Sequence, residues 1–189
     1  LMEKRNEWNA TFSFSRPLGK KPEGKGGKHG AGGRYYIVLT QVWRLKDTVQ
    51  LRSGLAPIDL LNGGTIGGTG GQPRHEVELQ GGVFKNGLGF RLVTKWQSAT
   101  STLASTHANS LFFSDLATVD MTAFADLGEI PRWQNRNWAK NFRVMVSVSN
   151  LFNSRIRARN GSGITPAGYE PAFLDPLGRT ISFSIRKSV

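Results

Sequence analysis

Apolar residues recur along this chain at every second position. In 8–16, Trp8, Ala10, Phe12 and Phe14 share one face, and Asn9, Thr11, Ser13 and Ser15 share the other. The same period runs through 35–45 (Tyr35, Ile37, Leu39, Trp43), 75–83 (Val77, Leu79, Gly81, Val83) and 87–98 (Leu88, Phe90, Leu92, Trp96). It returns in 111–127 (Ala117, Val119, Met121, Ala123), in 141–152 (Phe142, Val144, Val146, Val148) and in the terminal stretch 178–189 (Ile181, Phe183, Ile185). A period of two belongs to a strand with one apolar and one polar face. A shorter, weaker strand fits 47–53. The pattern predicts an all-β chain, an antiparallel meander of about eight strands.

The connections sharpen this picture. Three are short: 44–47, 84–87 with its hairpin-like Asn86-Gly87, and roughly 128–137. Four are long: 17–33, 53–72, 100–109 and 153–178. Long and short alternate, so long loops gather at one end of a meander and turns at the other. Most strands reach about 9–12 residues, enough to cross a bilayer at a tilt. Together these features predict part of a transmembrane β-barrel, an open curved sheet or partial barrel when taken as a segment. A soluble β-sandwich alternates in the same way, so alternation alone leaves both open.

The aromatics bear on that choice. If the last strand descends to the periplasmic side, Trp8, Trp43 and Trp138 fall at the periplasmic edge. Tyr35, Trp96, Phe113 and Phe152 then fall at the opposite edge. Rings at these levels suit the membrane–water interface. On the terminal strand, Ile181, Phe183, Ile185 and Val189 are expected to meet lipid, with Ser182, Ser184 and Arg186 facing a wet interior.

Charge adds a partner class. The chain has 25 Lys and Arg against 13 Asp and Glu, a formal charge of +12, which favours anionic partners. Loop 17–33 holds four lysines and one glutamate among seven glycines, too polar to bury a core of its own. It is read as external and directed at anionic lipopolysaccharide. Arg155, Arg157 and Arg159 continue the phase of Arg143. They are expected to line the barrel mouth with it as anion contacts, since guanidinium groups bind carboxylate or phosphate bidentately. A solvated charge cluster is the plainer alternative.

No catalytic constellation is present, and the chain is read as no enzyme. His75-Glu76-Val77-Glu78 lacks the second histidine of a zinc-binding HExxH, and no GxSxG elbow occurs. The glycine-rich 63–71 precedes no helical pattern, so it is a loop tip rather than a dinucleotide site. With no cysteine there is no disulfide or thiolate metal site, and no metal or cofactor is called for. The opening Leu1-Met2-Glu3-Lys4-Arg5 leads into no apolar signal region, and the chain is read as a fragment.

The segment 150–189 resembles the C-terminal end of a TonB-dependent outer-membrane receptor. The resemblance is carried by Asn150-Leu151-Phe152, Thr165-Pro166, Tyr169, Pro171, Asp175-Pro176 and Gly178-Arg179. Stretches 57–64, 70–89 and 111–128 resemble the same proteins. It implies a barrel of about 22 strands plugged by a separate domain. It also implies energised import of a scarce nutrient such as a ferric siderophore. The implied partners are outer-membrane lipid and lipopolysaccharide, the remaining strands and plug, and an inner-membrane energising complex acting through that plug. The implied location is the bacterial outer membrane. One departure is that Val189 stands where such barrels commonly end on an aromatic, and Lys187 interrupts the apolar phase. Two other readings stay open: a small self-contained outer-membrane barrel with an anchoring role, and a soluble basic β-domain binding nucleic acid. The aromatics lie with the aliphatics, opposite the charges, which disfavours nucleic acid as a partner.

Overall fold

A computed structural model describes residues 2–19, 33–66 and 71–188. The chain forms β1 (Met2–Leu18), β2 (Gly33–Gln50), β3 (Ile58–Asp59), β4 (His75–Lys85), β5 (Leu88–Gln97) and β6 (Thr100–Thr102). It continues with β7 (Leu111–Phe113), β8 (Leu116–Asp126), β9 (Phe142–Ser149), β10 (Ala158–Asn160) and β11 (Thr180–Lys187). One sheet runs β1-β2-β4-β5-β8-β9-β11, each neighbour antiparallel, with the two-residue β3 added beside β2. A three-stranded sheet, β10-β7-β6, is built from the connections. The architecture is all-β and the main sheet is open: β1 and β11 are its two edges.

Register turns the sequence period into two continuous faces. One rung crosses all seven long strands as Phe14, Ile37, Gly81, Leu92, Met121, Val148 and Ile181. One step along, the rung on the other face is Ser15, Tyr36, Gly82, Arg91, Thr122, Ser147 and Ser182. A slip of one residue anywhere would mix the faces, so the pattern fixes the register. Tyr36, Phe84 and Phe124 intrude on the polar face, and glycines make room for two of these rings. A Cβ on Gly82 would lie 2.5 Å from the Tyr36 ring, and one on Gly89 would collide with Phe124.

Among the described residues no second layer packs on the apolar face. Phe12 is 61 % exposed, Ile181 72 % and Phe183 64 %. Among the described residues the buried apolar side chains are few, and two of them, Phe113 and Ala158, belong to the small sheet. Among those residues no helix is long and apolar enough to cross a membrane, a statement that does not bear on strands.

The two ends of the main sheet differ. At the turn end, Leu18 faces Gly33, Lys85 faces Leu88, and β11 finishes at Lys187. Here Asn86 and Gly87, with φ of 52° and 79°, make the two-residue hairpin expected of Asn-Gly. At the loop end, β2 and β4, β5 and β8, and β9 and β11 are joined by long connections.

One expected strand does not exist separately. Residues 47–50 continue β2, and the turn expected at 44–47 is absent. The polar run stays in the strand because its charges are paired across it. A bulge between Asn6 and Glu7 sets Arg44 opposite Glu7 and Asp47 opposite Arg5. Losing that turn reverses the direction of β1 and β2 relative to the expectation. The strands flanking loop 17–33 therefore meet at the turn end, not with the other long loops. Of the expectations for that loop, those for 20–32 lie outside the described residues, as do residues 67–70 of the expected loop tip and Val189.

Candidate functional site

The polar face carries the charge chemistry. Near its loop end, Arg44 donates to Glu76 at 2.9 Å and to the Pro73 carbonyl at 2.8 Å, with Glu7 at 3.8 Å. Arg5 donates to Asp47 at 3.2 Å and pairs with Glu3 at 3.0 Å. Asp47 is fully buried, and its Oδ1, like Arg44 Nε, has no hydrogen-bond partner. Mid-sheet, Glu78, Arg91, Lys95, Asp120 and Thr122 line a recess of about 260 Å³. With its amide oxygen turned to the guanidinium, Gln80 accepts from Arg91 Nε at 3.0 Å. Thr122 and Ser147 hydroxyls lie 3.3 Å apart on the rung of Arg91. This is a polar, ion-paired surface. Among the described residues no cluster of His, Asp and Glu could hold a metal ion.

At the loop end the connections bind one another. Leu103 N donates to the Gly63 carbonyl at 2.8 Å, tying 98–115 to 51–74. Ser114 N donates to the Arg157 carbonyl at 2.8 Å, and Arg157 N donates to Ser114 Oγ at 3.1 Å, tying 98–115 to 150–179. Phe113 meets Tyr169 edge-on, with ring centres 5.8 Å apart. Asp59 anchors the first connection, accepting from Asn62 Nδ2 at 2.7 Å and from Leu61 N at 3.0 Å. The Asn62 bond, the Leu61 and Asn62 backbone N–H groups and the Arg74 charge hold its carboxyl below the usual carboxylate range.

The structure separates the arginines grouped in the sequence. Strand β9 ends at Ser149, and Asn150 and Asn153, with φ of 50° and 54°, turn the chain. Asn150 holds this turn by donating to the Ser154 carbonyl and accepting from Ser154 N, each at 2.8 Å. The strand phase is therefore lost before Arg155. Arg155 and Arg157 line a cavity of about 610 Å³ with Ser114, Asn153 and Phe152. Arg159 instead sits in β10, opposite Phe112. Arg143 is at the other end of the sheet, where its Nη2 donates to Asp126 Oδ2 at 2.7 Å and its guanidinium lies over the Phe124 ring. Arg155, Arg157 and Arg159 thus do not continue the strand phase of Arg143.

The aromatic levels are also redistributed. Trp8 pairs with Trp43, which stacks on His75, and all three lie at the loop end. Trp96 shares that end, its Nε1 donating to Asp115 at 3.2 Å, and Phe152 follows β9 there at 71 % exposure. Tyr35 lies at the turn end beside Arg16, with Trp138 in the connection there. Trp8, Trp43 and Tyr35 have changed sides because the 44–47 turn is absent. Phe113 is buried in the small sheet, so it is no interfacial ring. On β11, Ile181, Phe183 and Ile185 share the apolar face as the period requires.

Sequence reasoning missed the Arg5–Asp47 and Arg44–Glu76 pairs. Their partners are 42 and 32 residues apart, and only the register brings them together. No protein-family model, curated protein or solved structure matches this chain.

Proposed function

We propose that this chain is a C-terminal barrel segment of an outer-membrane active transporter that imports a scarce nutrient such as a ferric siderophore. The observation that supports this most is the uncovered apolar face, continuous over seven strands and backed by a polar, ion-paired face. Lipid would cover the first, and a wet lumen would accept the second. The open edges fit a segment whose unpaired backbone groups are met by further strands, since such groups are costly in lipid. The resemblance of 150–189 to TonB-dependent receptors supplies the transport part of the reading, with a plug and an energising inner-membrane complex as partners.

The test has two stages. The chain should need detergent or lipid to fold, and single-tryptophan variants keeping Trp8, Trp43 or Trp96 should be quenched by brominated lipid. A monomer that folds in plain buffer overturns the membrane reading. Uptake by cells carrying the whole protein should cease when the inner-membrane energising complex is removed; continued uptake overturns the active-transport part.

A further inference from the structure

Charge is distributed unevenly along the strand axis. On the apolar face, two strands end at the turn end on a cation directly after their last apolar residue on that face, Val83 then Lys85 and Ile185 then Lys187, and on β1 Arg16 follows Phe14 with Leu18 beyond it. The nearby connection adds Arg132, Arg136 and Lys140. The polar face adds Arg34, Arg143 and Arg186 at the same level. All nine are exposed. Two carboxylates, Asp126 and Glu129, stand near them, and Asp126 is bound to Arg143. The rest of the described chain carries twelve cations and ten carboxylates. At the loop end its apolar face carries Trp8, Trp43 and Trp96, and on β1 and β2 it runs on past the tryptophans to Lys46 and Lys4.

Resting on the barrel reading above, the geometry points to a phosphate-binding collar. Arg16, Lys85 and Lys187 would take the phosphates of anionic glycerophospholipids in the leaflet that abuts the turn end. Long cationic side chains at the border of an apolar band lay their methylenes on it and place the charge in the headgroups. A negative leaflet attracts such groups strongly enough to set a preference. Guarding of sheet edges against aggregation would account for Arg16 and Lys187 on β1 and β11. It does not account for Lys85, which lies on the interior strand β4.

The collar is tested by vesicle flotation of the chain with phosphatidylcholine alone, with added phosphatidylglycerol, and with lipopolysaccharide at matched charge. Phosphatidylglycerol should raise partitioning by roughly a hundredfold, about fivefold per cation. The triple variant Arg16→Gln, Lys85→Gln, Lys187→Gln should lose most of that gain. The charge-keeping triple Arg16→Lys, Lys85→Arg, Lys187→Arg should retain it, as should the loop-end control Arg52→Gln, Arg157→Gln, Arg159→Gln. An equal loss in the loop-end control, an unchanged gain in the collar variant, or a collar-dependent preference for lipopolysaccharide overturns the inference. Failure to enter any vesicle while folded in buffer overturns the barrel reading itself, and the collar with it.

Discussion

The two ends of the sheet close the same kind of strand pair by different means. At the turn end, Asn86 and Gly87 join β4 to β5 through backbone geometry that two residues carry by themselves. At the loop end, three connections far apart in sequence are held by bonds to one another, Gly63 to Leu103 and Ser114 to Arg157. The first closure is local and the second is cooperative. A fault at the loop end should therefore spread through several connections, whereas a fault at the turn end should stay with that hairpin and the end of β8 bonded to it.

The strongest way to break this contrast is Gly161→Ala. The new methyl would collide with the His107 carbonyl, forcing apart 98–115 and 150–179. A loss of roughly 2–3 kcal/mol is expected. Amide hydrogen exchange should accelerate in both connections at once, and a change confined to 160–164 would refute the cooperative closure. Next is Gly87→Ala at the turn end. Its φ of 79° is strained for alanine, and the methyl would lie 2.6 Å from the Asp126 carbonyl. The expected cost is about 2 kcal/mol in a denaturant midpoint. Faster exchange should appear at 84–89 and 126–129 but not across the loop end.

Asn150→Ala removes both side-chain bonds to Ser154 from a left-handed position. About 1–2 kcal/mol should be lost, and the junction of β9 with Arg155 should become protease-sensitive. The smallest effect is pH. The Asp59 carboxyl is held below its ordinary value, so its contribution is present above that value and is lost as pH falls through the lowered one. Acid should loosen 58–64 before the turn end, as read by exchange, and Asp59→Asn should flatten this dependence.

How far the sequence reached follows the same division between local and distant causes. The alternation in 75–83, 87–98 and most of 111–127 placed β4, β5 and β8 on the correct faces, because strand phase is a local property, although 111–113 leave that strand for the small sheet. The Asn86-Gly87 hairpin was legible for the same reason. The course of β2 was not. Arg44 to Asp47 reads as a turn until Arg5, Glu7 and Glu76 are brought alongside, and those partners come only with the fold. That single misplaced turn moved Trp8, Trp43 and Tyr35 to the wrong levels. For the candidate site, the positive φ of Asn150 and Asn153 ended a phase that residue types alone would have carried on to Arg159.

The meander has a consequence in parity. Its path makes seven full passes, so β1 and β11 run in the same direction, both from the loop end to the turn end. Joining these two edges directly would make a parallel seam in an otherwise antiparallel ring. A second copy turned to pair antiparallel would put its loops on the opposite side of a bilayer. A ring antiparallel throughout closes only when an odd number of further passes lies between the edges.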